Sequence, residues 1–426
     1  MRSEVSARPR REARLPQVRN LTCMSCGRSY KQGLDGPCPD CGTSGVLQIH
    51  FDLARARRTL HRRSLAKRPF DVWRYAELLP VSANGRRPAL VPGGTPLVDA
   101  PELAHWAGLR ALRVKDEGRN PTGSFKDRAS AIGVTRALAR GASVVACAST
   151  GNAASSLAGA AASVGLRCVI FVPEFAPEPK LAQLLVFGAR VIRVQGSYDQ
   201  TWEMCQRACK QYGWYNRNAA VNPSLVEGKK TCGLEIAEQT AEDVPDWLAV
   251  SVGDGCTIAG IWKGLVEMKA LGLFPRLPKL LGVQAEGARP LVDAFHESRE
   301  LRPVTAETIA DSICVGHPRN WRKALHAVLD SGGTFIAVCD DAIVDAMREA
   351  GRRAGLFGEP AGVAPFAGLK KAVAEGIVGK KARALAVMTA AGLKDIKTAL
   401  RAVGQPTSLK PSDDELAAHL KEQPLR

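Results

Sequence analysis

Short apolar runs rich in β-branched residues alternate with alanine-rich stretches from about Asp71 onward. An apolar run of about four to eight residues between polar or glycine-rich segments predicts a buried strand, and an alanine-rich stretch predicts a helix. Strands are predicted at residues 144–148, 168–172, 191–194, 248–252, 281–284, 335–339 and 385–389. The alternation indicates repeated strand–helix units and a largely parallel α/β fold.

The two ends of the chain depart from this alternation, and 426 residues are enough for two hydrophobic cores. The predicted divisions are a disordered basic arm (1–18), a compact cysteine module (19–50), a large α/β domain (51–139 and 229–405), a smaller α/β domain (140–228) and a polar C-terminal tail (406–426).

The net charge of +17 is concentrated near the start of the chain, since residues 1–70 carry 15 Lys and Arg against 5 Asp and Glu. A solvated arm is the common role of such a segment, so nucleic acid is not a predicted partner. Twelve cysteines, eight of them scattered after residue 41, are typical of free thiols in a reducing compartment. With no apolar run of membrane-spanning length and no apolar signal sequence after Met1, we expect a cytoplasmic protein.

Two CxxC pairs, Cys23 with Cys26 and Cys38 with Cys41, are each followed directly by a glycine. Four thiolates in this arrangement can surround Zn²⁺ tetrahedrally, and so short a segment needs such a staple to fold. Because all four ligands are sulfur, the metal is predicted to be structural rather than catalytic. A remnant ribbon with reduced or disulfide-linked thiols is the alternative.

Lys126 ends the run Asn120-Pro-Thr-Gly-Ser-Phe-Lys, which lies between a strand-like segment and an alanine-rich one. A lysine partly removed from water at a loop-to-helix junction is disfavoured in its charged form, which suits an amine that forms a Schiff base. An ordinary surface charge is the alternative.

Two glycine-rich loops each follow a predicted strand and open a predicted helix. Residues 148–155 (ASTGNAAS) are placed to receive an anion such as a carboxylate, and residues 252–260 (VGDGCTIAG) could cradle a phosphate. Either loop alone could be a packing device, but their combination with Lys126 is much more specific.

This order of motifs resembles threonine synthase of the shorter, zinc-ribbon-bearing branch of fold-type II pyridoxal-phosphate enzymes, from about Leu21 to about Asp395. The matching stretches are 94–97, 120–127, 149–152, 221–223, 227–231, 253–264, 282–286, 359–362 and 392–395. The resemblance implies a tryptophan synthase β-like fold with two open α/β domains behind a zinc ribbon. It also implies pyridoxal phosphate as cofactor, an amino-acid substrate and a homodimer.

The resemblance assigns a role to each motif. Lys126 would be the Schiff-base lysine, Asn152 would hydrogen-bond the cofactor's phenolic oxygen, and Thr389 would face the pyridine nitrogen. The substrate carboxylate would bind to Ser149, Thr150, Gly151 and Asn152. The cofactor phosphate would bind to Gly253, Asp254, Gly255, Cys256 and Thr257. The family's reaction converts O-phosphohomoserine and water to threonine and phosphate by γ-elimination and β-addition.

Several departures from the family pattern fall in the substrate site. The side chains that bind the substrate's phosphate are replaced by Ala153, Ala219, Ala220 and Leu225. Cations that could compensate are Lys229, Lys230 and Arg217. Asp254 brings a carboxylate near the cofactor phosphate, unless it points away or pairs with a lysine such as Lys263. A family histidine is replaced by Ala391.

Three interpretations therefore stay open. The first is a working threonine synthase. The second is a related pyridoxal-phosphate lyase or synthase for another amino acid, by β-replacement as in cysteate synthase or by deamination of a hydroxy amino acid. The third is a non-catalytic relative. His317 and Trp321 are candidates for substrate contact, and Glu286 for contact with the cofactor ring.

Overall fold

The structure, a computed structural model, describes residues 14–174, 176, 178–219, 221–404 and 406–422. The strands are β1 (Val18–Cys23), β2 (Ser29–Tyr30), β3 (Leu47–Phe51), β4 (Leu97–Asp99), β5 (Ala111–Asp116), β6 (Val144–Ala148), β7 (Arg167–Pro173), β8 (Arg190–Val194), β9 (Tyr215–Asn216), β10 (Trp247–Ser251), β11 (Lys279–Ala285), β12 (Thr334–Val338) and β13 (Arg383–Met388).

The α-helices are α1 (Leu53–Arg57), α2 (Arg62–Leu65), α3 (Pro101–Ala107), α4 (Lys126–Ala139), α5 (Asn152–Ala162), α6 (Glu178–Val186), α7 (Tyr198–Tyr212), α8 (Pro223–Gln239), α9 (Cys256–Ala270), α10 (Pro290–His296), α11 (Trp321–Asp330), α12 (Asp340–Ala354), α13 (Pro360–Ala374), α14 (Ile396–Val403) and α15 (Asp413–Glu422). Short 3-10 segments lie at Val72–Leu78, Glu117–Arg119, Glu286–Ala288, Asp311–Ile313 and Gly392–Lys394.

Two sheets form the body of the protein. The larger has the order β12-β11-β10-β13-β5-β4, and it is parallel except that β4 runs antiparallel to β5. The smaller, β8-β7-β6-β9, is parallel throughout. Every residue of β6 and of β10 is buried, as expected for strands covered on both faces. The predicted α/β fold is therefore confirmed.

All seven strands predicted from apolar runs are present, with ends that differ by at most two residues from the prediction. Strand β5 lies at the strand-like segment expected before Asn120, although its last two residues are the buried polar side chains Lys115 and Asp116. The prediction missed the short strands β4 and β9, because an apolar pattern cannot reveal a strand of only two or three residues.

The cores do not follow the predicted domain limits everywhere. Helix α4 falls in the predicted large domain, yet Val134 and Ala137 lie in the core beneath the smaller sheet. The cysteine module forms a third sheet, β2-β1-β3. Its residues Leu21 and Leu47 share one buried cluster with Leu248 of the larger sheet, so the module is part of the main body.

The ends of the chain also differ from the prediction. Residues 1–13 of the predicted arm and residues 423–426 of the predicted tail lie outside the described residues. The rest of the arm is ordered, because Leu15 and Val18 are buried and the Leu15 N–H donates to Gln32 Oε1 at 2.6 Å. The tail contains α15, in which no residue is buried. Among the described residues, no helix has both the length and the apolar character needed to cross a membrane.

A buried ion cluster holds the start of α4. Arg128 donates to Glu117 at 2.7 Å and to Glu235 at 2.6 Å, and Lys115 donates to Glu235 at 2.8 Å. All four side chains are 0% exposed, and two cations balance two carboxylates. The cluster therefore ties β5 and α8 to the first turn of α4, which begins with Lys126.

Candidate active site

The predicted site residues lie where strands of the two sheets end. Lys126 begins α4, one glycine-rich loop joins β6 to α5, the other joins β10 to α9, and Thr389 directly follows β13. The structure brings together around one cavity of about 960 Å³ all of the predicted cofactor and substrate residues. These are Lys126, Ser149, Thr150, Gly151, Asn152, Gly253, Asp254, Gly255, Cys256, Thr257 and Thr389. Cavities at the carboxyl ends of strands are the usual place for ligands in α/β proteins.

Lys126 lies at the wall of this cavity rather than on the outer surface. The Phe125 N–H just before it donates to the Thr389 carbonyl at 2.8 Å, which fixes the start of α4 against the end of β13. Burial, and next the positive charge of Lys229, lower the pKa of Lys126 to about 8. An appreciable fraction of this amine is therefore neutral near physiological pH.

Asn152 makes a contact that sequence reasoning did not find. Its Nδ2 donates to both carboxylate oxygens of Glu359, at 2.9 and 3.0 Å, and to Ser312 Oγ at 3.2 Å. Glu359 is buried and directly precedes α13, and burial raises its pKa. Its position in the matched stretch 359–362 was the available signal, but that stretch assigned it no role.

The loop from Gly253 to Thr257 is shaped to present backbone at the start of α9. Gly255 adopts φ 88°, and a Cβ there would lie 2.8 Å from the Ala324 side chain, so the turn requires glycine. The first turn of α9 directs peptide N–H groups without helical partners towards the cavity. An anion can bind at such a helix start.

The carboxylate of Asp254 accepts a hydrogen bond from the segment that precedes α11. Its Oδ1 accepts from the Arg319 N–H and its carbonyl accepts from the Asn320 N–H, both at 3.0 Å. Of the two possibilities for this carboxylate, pairing with Lys263 is not found, because Lys263 contacts Glu227 and donates to a backbone carbonyl of β3 instead. The carboxylate therefore braces the segment before α11.

The two adjacent lysines considered as replacement cations have different surroundings. Lys229 lines the cavity, as does Arg217. Lys230 does not, because it pairs with Glu227 at 2.7 Å and with Glu267 at 2.8 Å. One residue along a helix is a rotation of about 100°, which is enough to place neighbours on different faces.

The predicted alanine replacements are placed unequally. Ala153 and Ala219 line the cavity. Leu225 is buried beside Gly133 and does not line the cavity, so it offers no contact to a substrate there. Ala220 lies outside the described residues.

The mouth of the cavity is formed partly by the segment 303–319, which carries no motif and which sequence analysis mostly missed. His317 lines the cavity there, whereas Trp321 packs against the main core. Arg319 reaches from this segment to α7, where it pairs with Asp199 at 3.1 Å and covers the Trp202 ring at 4.3 Å. Substrate contact thus suits the position of His317 and not that of Trp321.

Glu286, the candidate for contact with the cofactor ring, lies elsewhere. Its side chain is exposed and lies 3.5 Å from Lys371, and it does not line the cavity. The expectation that it approaches the ring is therefore wrong.

The four cysteines of the module converge on one point. All four Sγ atoms lie within 4.8 Å of one another, and the Cys23–Cys41 and Cys26–Cys38 pairs are each 3.9 Å apart. A Cβ on Gly45 would lie 2.4 Å from the Cys38 Cβ, so a glycine is needed where the chain closes round the cluster.

Comparison with known proteins agrees with this geometry. The family model described as pyridoxal-phosphate dependent enzyme matches residues 89–390. The threonine synthase of Methanocaldococcus jannaschii is 41% identical over 403 residues, which are 94% of this chain and 99% of that one. That of Methanosarcina acetivorans is 38% identical over 93% of this chain and 97% of its own.

Solved structures with a similar fold include maize serine racemase, with a TM-score of 0.63 and 21% identity over 77% of this chain and 93% of that one. Diaminopropionate ammonia lyase from Escherichia coli gives a TM-score of 0.64 and 19% identity over 83% of this chain and 91% of that one. At such low identity the structural likeness bears on the fold alone.

Proposed function

This chain belongs to the threonine synthase family of pyridoxal-phosphate dependent enzymes, and we propose that it converts O-phosphohomoserine and water to threonine and inorganic phosphate. The observation that carries the proposal is a single cavity lined both by Lys126 and by the two glycine-rich loops. Similarity to threonine synthases over nearly their whole length supports the same activity.

The residues around the cavity fit pyridoxal phosphate. Lys126 can carry the cofactor through its amine, the helix start at Gly255 can receive the phosphate, and Thr389 has a neutral hydroxyl for the pyridine nitrogen. When bound, the cofactor supplies an electron sink for negative charge that develops on the substrate. A neutral hydroxyl at the ring nitrogen favours elimination and replacement over transamination.

The chain's own groups then move protons and orient the substrate. With a pKa of about 8, the amine of Lys126 can accept the proton from the substrate's α-carbon. Peptide N–H groups at the start of α5, behind Gly151, bind the α-carboxylate. The positive charge of Arg217 and Lys229 along the cavity wall favours an acidic substrate.

A related lyase or synthase for a different amino acid is the second candidate. The observation in its favour is the apolar lining at Ala153 and Ala219, where the family resemblance places polar contacts to the substrate's phosphate. Losing several hydrogen bonds to a doubly charged group weakens binding strongly, because each is worth roughly 1.5–3 kcal/mol. β-Replacement on a serine derivative and deamination of a hydroxy amino acid are the reactions to compare.

A structural zinc ion is proposed for the cysteine cluster. Four sulfurs about 2.3 Å from a tetrahedral Zn²⁺ are about 3.8 Å from one another, close to the two 3.9 Å pairs observed. No ligand position is left open for water, so the ion would hold the module together. A cytoplasmic homodimer is also proposed, from the scattered free thiols and from the family resemblance.

The deciding experiment adds O-phosphohomoserine, O-phosphoserine, serine or threonine to protein reconstituted with pyridoxal phosphate. Phosphate release matched by threonine formation, and lost in Lys126→Ala, is the expected result. A visible spectrum that ignores O-phosphohomoserine and shifts with another amino acid would reject this substrate and select the second candidate. A protein that binds no pyridoxal phosphate would reject both.

A further inference from the structure

Lys229 is a buried lysine at the cavity wall. Its side chain is 3% exposed, and among the described residues its ammonium group has no hydrogen bond or ion pair. The next residue, Lys230, is equally buried but is matched by two carboxylates. An ammonium group without a protein partner at a cavity wall is available to an anion that enters the cavity.

The surroundings of Lys229 point to the beginning of α9. A Cβ on Gly260, in the second turn of α9, would lie 3.0 Å from the Lys229 Cβ, so the two helices are in close contact there. The groups that act electrostatically on Lys229 are Cys256, Arg217 and Asp254, and two of these belong to the glycine-rich loop. The ammonium group and the free N–H groups of α9 therefore lie at the same part of the cavity.

The charged side chains that line the cavity include more cations than carboxylates. Lys126, Arg217, Lys229 and Arg319 line it, against Asp199, Asp254 and Asp311, and Asp199 pairs with Arg319 at 3.1 Å. The Arg217 guanidinium also donates to Ser130 Oγ at 3.1 Å. An anion that enters the cavity therefore meets a small excess of positive charge.

We propose that Lys229 binds a phosphoryl group at the start of α9. This inference deepens the proposed function and rests on it, because two phosphates are then available. One is the phosphate of the cofactor and the other is that of the substrate. The close contact of Lys229 with Gly260 of α9 favours the cofactor's phosphate, which the start of α9 is proposed to receive.

The test uses Lys229→Met, which keeps the length of the side chain and removes the charge. Replacing an unpaired buried charge with an apolar side chain is expected to keep the metal-replete, cofactor-free protein folded and its unfolding temperature unchanged or higher. Lys229→Arg keeps the charge. Lys269→Met is the control, since Lys269 lies on helix α9 but is exposed and does not line the cavity.

Binding of pyridoxal phosphate and of pyridoxal, which lacks the phosphate, is measured by visible absorbance. We expect Lys229→Met to weaken the affinity for pyridoxal phosphate about 10- to 100-fold and to leave the affinity for pyridoxal unchanged. Lys229→Arg should restore most of the affinity, and Lys269→Met should bind both compounds as wild type does. The affinity for O-phosphohomoserine is measured from the spectral shift of the cofactor-loaded protein. If Lys229→Met loses that affinity to a similar extent while its cofactor affinity is unchanged, Lys229 binds the substrate's phosphate instead. A folded Lys229→Met protein with both affinities intact would overturn the inference. Because these are binding measurements, a failure to form threonine would reject the proposed function alone.

Discussion

The Asn152 amide donates to both carboxylate oxygens of Glu359, two residues that are 207 positions apart in the chain. The contact joins the start of α5, beside the smaller sheet, to the start of α13, beside the larger one. Asn152 is the residue proposed to meet the cofactor's phenolic oxygen. Glu359 thus acts as a positioning residue that fixes the orientation of this amide.

Replacing Glu359 tests this relationship. Glu359→Ala is expected to lower kcat by about 10-fold or more and to shift the visible absorbance of the bound cofactor, because the Asn152 amide is no longer held. Glu359→Gln, which still offers one acceptor oxygen, should recover part of both effects. In a double-mutant cycle with Asn152→Ala, the two losses should be far from additive. Additive losses with an unshifted spectrum would mean that Glu359 only supports the fold.

The lowered pKa of Lys126 predicts how the cofactor-free protein captures pyridoxal phosphate. Only the neutral amine attacks the aldehyde, so the capture rate should rise with pH and level off above about 8. Stopped-flow absorbance from pH 6 to pH 10 measures this profile, with Lys126→Ala as the control that gives no covalent capture. A midpoint near 10, as for an exposed lysine, would contradict the burial of this amine.

The buried ion cluster predicts a large loss of stability for Glu235→Gln. Removing one member leaves Arg128 and Lys115 short of a carboxylate, which should reduce the free energy of unfolding by about 3–5 kcal/mol in urea titrations. Glu242→Gln, at an exposed position, should change it by less than about 0.5 kcal/mol. Equal effects of the two substitutions would show that the cluster adds little.

The same cluster predicts sensitivity to acid. Burial alone would raise the pKa of Glu235, but the charges of Arg128 and Lys115 lower it to about 2. Since the folded protein has the lower pKa, this contribution is complete above the unfolded value of about 4.3 and is lost as the pH falls from there towards 2. Unfolding titrations between pH 6 and pH 3 should therefore show a steeper decline for wild type than for Glu235→Gln.

The cysteine cluster predicts opposite results for two exposed thiols. Cys26→Ser should reduce bound zinc from one ion per chain and lower the unfolding temperature, because the metal would hold the two CxxC pairs of the module together. Cys339→Ser changes an exposed cysteine that lies outside the cluster and should do neither. Metal analysis by mass spectrometry and thermal unfolding measure the two effects. Wild-type protein that is purified without zinc and gains no stability on its addition would reject the metal.

The site residues that lie in continuous motifs could be predicted from the sequence. Lys126 and the two glycine-rich loops each lie in a continuous motif at the end of a strand, and parallel strands bring such ends to one edge of a sheet. Contacts between residues far apart in the chain could not be predicted in this way. The pairing of Glu359 with Asn152 depends on how two sheets meet, and no local pattern encodes that distance.

Helix rotation explains why the positions of three lysines could not be predicted. Lys229 and Lys230 are adjacent and chemically identical, so composition could not tell which one lines the cavity. Lys263 was a possible partner for Asp254, but its face of α9 turns towards the cysteine module. The segment 303–319 forms the cavity mouth without any periodic pattern that would have predicted it.

Two lysines connect the cysteine module to the helices that frame the phosphate loop. Lys263 of α9 donates to the Ile49 carbonyl and Lys323 of α11 donates to the Leu47 carbonyl, both at 2.6 Å and both on β3. Helix α9 begins in the loop, and α11, which has Lys323 in its first turn, begins beside the contacts of Asp254. Metal binding and cofactor binding are then linked thermodynamically. The factor by which a bound metal raises the affinity for the cofactor equals the factor by which a bound cofactor raises the affinity for the metal.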